Sequence, residues 1–133
     1  MIPNRPSPEE RPTLRIRELA TPSGRGVLSE FLKGEDKARA HFRVRVISLS
    51  RVPRVEWQIK QFRPLGDGVF EIKWSCCDKE WRALGFDSDG YFLVVRGCTH
   101  KGKVYDPHDC IQRAKALKWE YLRGKWKSKD YEL

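Results

Sequence analysis

Hydrophobic and polar residues alternate with a period of two in some stretches of this chain and recur at three and four in others. The two periods outline an order of elements. Residues 1–12 precede either pattern: Pro3, Pro6, Pro8 and Pro12 block regular ladders and little there can be buried, which predicts a flexible tail. Leu14 and Ile16 then alternate with Arg15 and Arg17 as in a short half-buried strand. After the punctuation of Thr21-Pro22-Ser23-Gly24, the spacing of Val27, Leu28, Phe31 and Leu32 predicts one helical face that Gly34 ends. Asp36 is placed to cap a second helix, with Ala38, Phe42, Val46 and Leu49 as its stripe and Lys37, Arg39, Arg43 and Arg45 mostly outward. Phe42 to Val46 also alternates like a strand; the helix is preferred, with Pro53 closing it.

Val55 to Ile59 reads as extended, and Pro64-Leu65-Gly66-Asp67-Gly68 as a turn. Three strands rich in aromatic and β-branched residues follow, Val69 to Trp74, Glu80 to Phe86 and Tyr91 to Gly97, with Asp87-Ser88-Asp89-Gly90 as a hairpin turn. Asp109 is positioned to cap a last helix carrying Ile111, Ala114, Leu117 and Tyr121, with Gly124 near its end. Residues 125–133 read as a charged tail. The expectation is one α+β domain over 13–124: strand, helical hairpin, antiparallel meander and closing helix, with the helices on one face of a curved sheet and a basic concave face opposite.

Charge changes the picture. Twenty-seven Lys and Arg against eighteen Asp and Glu leave +9 and a sequence pI near 9.6, so polyanions, nucleic acid first, are the natural partners. A bilayer is disfavoured, since no stretch approaches the roughly 20 apolar residues of a spanning helix. No secretory signal is visible at the N-terminus, and a cytoplasmic location with reduced thiols is expected. Cys98-Thr99-His100 and His108-Asp109-Cys110 offer four potential zinc ligands in mirrored C-x-H and H-x-C order, but the spacing matches no established zinc signature, and no metal is assigned. Gly-rich phosphate loops, H-E-x-x-H and serine-hydrolase triads are missing from the sequence.

The segment Phe62-Arg63-Pro64-Leu65-Gly66-Asp67-Gly68-Val69-Phe70-Glu71-Ile72-Lys73 resembles the "L-x-G-x-hydrophobic-x-E-hydrophobic-R/K" segment of RelE/HigB-type toxins, closest to their phage-derived HigB-like branch. Glu80-Trp81-Arg82-Ala83-Leu84 is similar to the family's aromatic-Arg-hydrophobic strand. His100-Lys101-Gly102-Lys103 falls where a Lys-Lys pair is usual, and the helix with Ile111 and Ala114 resembles the closing helix. The sequence departs from the pattern in having Lys73 where arginine is commoner, His100 for the first lysine, and a loop from His100 to Pro107 about a residue longer than usual in that family's pattern. The resemblance implies a RelE-like fold, cleavage of translated mRNA at the ribosome, and neutralisation by a helix-turn-helix antitoxin. It implies no metal and no small-molecule cofactor.

Metal-free RNA cleavage needs a base for the ribose 2′-hydroxyl, charge to stabilise the phosphorane and an acid for the 5′-oxygen. Arg82 is the candidate to hold phosphate oxygens, Lys73 shares its face by strand parity, His100 is the proton-transfer candidate, and Lys101 beside it completes the catalytic set by raising the local positive potential. Arg63, Arg96, Lys103 and Tyr105 are the candidate RNA-binding residues, Tyr105 either stacking on a base, bonding phosphate or packing under its loop. Glu71 has the parity to orient a cation. Trp57, Trp74 and Trp81 are assigned mostly to the core, because Trp74 and Trp81 alternate with Lys73 and Arg82. Each cation also has an ordinary reading as a solvated surface charge. The rival to the enzyme is a non-catalytic phage or mobile-element protein that binds RNA, the ribosome or a host protein; a DNA-binding regulator would need a recognition helix that the pattern lacks.

Overall fold

A computed structural model describes residues 14–133, so the tail expected over 1–12 lies outside the described residues. The chain is mixed α+β. Strand β1 (Ile16–Ala20) leads into α1 (Val27–Phe31) and α2 (Asp36–Ser50); strands β2 (Phe62–Gly66), β3 (Val69–Cys76), β4 (Lys79–Ser88), β5 (Tyr91–Lys101) and β6 (Val104–Asp106) follow, then α3 (Cys110–Leu122) and β7 (Lys127–Asp130). They build one seven-stranded sheet in the order β2-β3-β4-β5-β1-β7, with β6 beside the far end of β5. Pairing is antiparallel except between β1 and β5.

The expected helical hairpin and meander are present, and Ala38, Phe42, Val46 and Leu49 are the buried stripe of α2. That stripe packs with Leu28 and Leu32 on Ile72, Trp74, Trp81, Ala83, Phe92 and Val94, and both Trp74 and Trp81 are core residues as their parity predicts. The expectation that all helices share one face is corrected. Helix α3 covers the opposite face, where Cys110, Ala114 and Leu117 bury Leu84, Phe86, Leu93, Val95 and Cys98. Strands sandwiched between two helical layers need apolar residues at every position, which is why Phe92-Leu93-Val94-Val95 does not alternate.

Several local expectations also change. Val55 to Ile59 is not extended: Arg54–Glu56 forms a short 3-10 helix after Pro53, and Trp57 Nε1 donates to the Leu49 carbonyl at 2.8 Å, closing the end of α2. Pro64 to Gly66 belongs to β2, an edge strand where proline costs no ladder bond, and only Asp67 and Gly68 turn the chain. The loop expected from His100 to Pro107 is a hairpin formed by β5 and β6. The charged tail assigned to 125–133 supplies β7, whose Lys129 and Ser128 sit opposite Glu18 and Leu19, and Tyr131 is buried against Phe42. Alternating charge at Lys127 and Lys129 suits an edge strand, and it hid the strand from a search for apolar alternation.

Two features bend and brace the sheet near its centre. Leu84 pairs with Arg96 and Gly85 with Val94, so Val95 is the extra residue of a bulge, and a Cβ on Gly85 would collide with the Leu93 carbonyl. Glu18, 1% exposed, accepts from the backbone amides of Leu28 at 3.0 Å and Ser29 at 2.8 Å, so a carboxylate on β1 satisfies the open amides of α1. Neither helix predicted to start at an aspartate uses that side chain as a cap: Asp36 lies inside α2 and bonds Arg39, and Asp109 precedes α3 without a side-chain bond to it.

Candidate functional site

Strand register gathers the candidates. Partners across a ladder share a face, and successive strands lie about 4.8 Å apart. On the α3 side of the sheet this gives three rows. Arg63, Glu71, Leu84 and Arg96 form the first, Lys73, Arg82 and Cys98 the second, and Ser75, Glu80, His100 and Tyr105 the third. Lys73, Arg82 and His100, singled out from sequence, therefore share one face of the sheet. Lys101 and Lys103 lie exposed at the tip of the β5–β6 hairpin, on either side of Gly102.

Glu71 is the hub of the cluster. Fully buried, it accepts from Arg63 Nε at 2.9 Å on Oε1 and from the Tyr105 hydroxyl on Oε2, while Arg82 Nε stands 3.8 Å from Oε1. Arg63 Nη2 donates to the Tyr105 oxygen at 2.8 Å, so β2, β3 and β6 are tied through one carboxylate. Tyr105 is thus engaged at its hydroxyl, and its ring meets that of His100 edge-on with centroids 4.2 Å apart. Tyr105 here packs against its own hairpin with its hydroxyl engaged. Burial and the hydrogen bond to Glu71 push its phenol pKa well up.

Arg82 departs most from its sequence reading. Expected on an open basic face, it is 5% exposed, with one Nη donating to the Trp81 carbonyl at 2.9 Å, so it lies beneath the surface that Lys73 and His100 line. The cause is packing: Cys98 beside it and Leu84 near it belong to the core that α3 closes. Its charge reaches the surface groups nonetheless. Burial first, and then Arg82, lower both the Lys73 and the His100 pKa, favouring a neutral imidazole at pH 7 and a lysine more acidic than usual. Arg45, expected outward, instead donates from α2 to the Lys73 carbonyl at 2.8 Å and fixes the backbone there. Arg96 is half-buried beside Cys110, in the first row and so two rows from His100.

The mirrored Cys/His pattern does not assemble. Cys98 and Cys110 meet in the core with hydrogen-bonding thiols, while His108 is exposed, and among the described residues no three His, Cys, Asp or Glu side chains form a metal-holding group. Among the described residues no helix is long and apolar enough to cross a membrane. Sequence reasoning missed Glu80, which shares the His100 row and accepts a short hydrogen bond from Ser75; its parity with Arg82 was the available signal.

Compared with protein-family models, with curated proteins and with solved structures, the chain matches none.

Proposed function

We propose that this chain is a metal-independent endoribonuclease of the RelE/HigB toxin type that cuts mRNA on the ribosome and is neutralised by a helix-turn-helix antitoxin. What supports the reading is the common sheet face of Lys73, Arg82 and His100 beside the buried Glu71. The order of strand, helical hairpin, meander and closing helix agrees with the fold that the resemblance implies.

The chemistry follows from the charge states. A neutral His100 takes the 2′-hydroxyl proton as that oxygen attacks the adjacent phosphorus. Buried Arg82, with Lys73 and Arg63 nearer the surface, stabilises the charge that accumulates on the non-bridging oxygens. Lys73, its ammonium made more acidic by burial and by Arg82, gives a proton to the departing 5′-oxygen. The P–O5′ bond breaks as the O2′–P bond forms, leaving a 2′,3′-cyclic phosphate and a 5′-hydroxyl. Lys101 and Lys103 hold neighbouring phosphates electrostatically.

The test is cleavage of mRNA in programmed ribosomes with a chelator present, followed by end-group analysis. A 5′-hydroxyl product, abolished by a 2′-deoxy residue at the cut and reduced about 100-fold or more by His100→Ala, is expected. A 5′-phosphate product, or undiminished cutting by both His100→Ala and Lys73→Ala, overturns the mechanism. The burial of Arg82 favours one second reading, a scaffold that binds RNA without cutting it; RNA retention with intact substrate in every assay identifies that case.

A further inference from the structure

The Tyr105 hydroxyl donates to the buried Glu71 and stands among more cations than anions. Arg63 Nη2 donates to it, while Arg82 Nε, 3.8 Å from the same Glu71, and the Nε2 of His100, whose ring meets that of Tyr105, are buried without a hydrogen-bond partner among the described residues. Arg82 is more than nine-tenths buried, so its unpaired donor has a desolvation cost that a ligand, a water or a rearrangement recovers. A phenol oxygen is a neutral acceptor, whereas hydrogen bonds from guanidinium to a phosphate oxygen are charge-assisted and about twice as strong. Arg63, Arg82 and Lys73 against the single carboxylate of Glu71 leave this pocket with an excess of positive charge.

We propose that Tyr105 is a displaceable plug in a phosphate-oxygen subsite formed by Arg63, Arg82 and His100. When a phosphate group enters, the phenol leaves Arg63 and Glu71, its ring uncovers His100, and the phosphate oxygen accepts from Arg63 Nη2 and Arg82 Nε with the imidazole beside it. The plug is mounted for such a movement. Strand β6 has three residues, pairs among the described residues only with β5 and follows the exposed turn Lys101-Gly102-Lys103, whose lysines are drawn toward the same phosphate. Arg63 keeps its bond to Glu71 Oε1 when the phenol departs, so the guanidinium stays aimed. The inference deepens the proposed function by naming what the site binds, and it does not require that the bound group be cut.

The experiment titrates inorganic phosphate into the full chain and follows the Tyr105 and His100 ring resonances by NMR. Both rings shift together and saturably in the unaltered protein, and Tyr105→Phe, which keeps the ring but releases Arg63, binds phosphate about tenfold more tightly because no hydroxyl competes for the guanidinium. Unmoved Tyr105 and His100 resonances in the unaltered protein overturn the plug whether or not the variant folds. Equal or weaker phosphate binding by a folded Tyr105→Phe overturns it as well. Phosphate binding with no RNA cleavage removes the nuclease reading alone, and cleavage with no response of Tyr105 to phosphate removes the plug alone.

Discussion

Glu71→Gln and Arg82→Met should have unequal effects on stability although the two side chains form one ion pair. Glu71 is fully buried and Arg82 is 5% exposed, so the low-dielectric cost of each charge is borne by its remaining partners. Removing the carboxylate's charge leaves Arg82 buried beside Arg63 and Lys73 with no anion between them, the situation for which breaking a buried pair costs about 3–5 kcal/mol. Removing the guanidinium leaves Glu71 still bonded to Arg63 and Tyr105; Met preserves the stem, and the lost bond to the Trp81 carbonyl is worth about 1 kcal/mol. With urea m-values of about 1–3 kcal/mol/M, the Gln variant loses on the order of 1–5 M in midpoint and the Met variant a few tenths to about 1 M. Equilibrium unfolding followed by fluorescence of the buried Trp74 and Trp81 measures both. The double variant sharpens the test: it should be more stable than Glu71→Gln alone, because the stranded cation is gone. Equal losses from the two single changes, or a double variant whose losses simply add, would refute this account of the cluster.

Three further outcomes follow from the geometry. Burial lowers the His100 pKa below its unfolded value near 6.5, so the unfolded chain binds the extra proton first and stability falls as pH drops from about 7 through 6.5; His100→Gln should flatten that dependence, and an unchanged slope of urea midpoint against pH between 7.5 and 5.5 contradicts it. Gly85→Ala places a methyl against the Leu93 carbonyl at the bulge, where backbone must move, and should cost about 1–3 kcal/mol or prevent folding, read by thermal unfolding; a neutral result would mean the bulge is absent. Tyr131→Ala removes a ring packed on Phe42 beside β7 and should cost about 3 kcal/mol in the same measurement, whereas a freely moving C-terminal tail predicts no change.

The helical stripe of α2 and the parity that put Trp74 opposite Lys73 were readable in the sequence because both depend on local backbone period, which side-chain order records directly. The same parity placed Lys73 and Arg82 on one face, and the structure adds that they are direct cross-strand partners. Parity gives a face but not a depth. That Arg82 is buried was decided by α3 closing over its neighbours, and that Tyr105 lies against His100 and Glu71 was decided by a hairpin whose only sequence sign was Gly102. Glu18 and β7 were invisible for a related reason: a carboxylate that holds distant amides, and a lysine-rich edge that completes a sheet, carry no apolar signature of their own. By itself the sequence determined the period, facing and order of the elements, and the positive charge of the chain. The tertiary structure alone decided which charges lose contact with water, since desolvation depends on what distant segments bring to the other side of each residue.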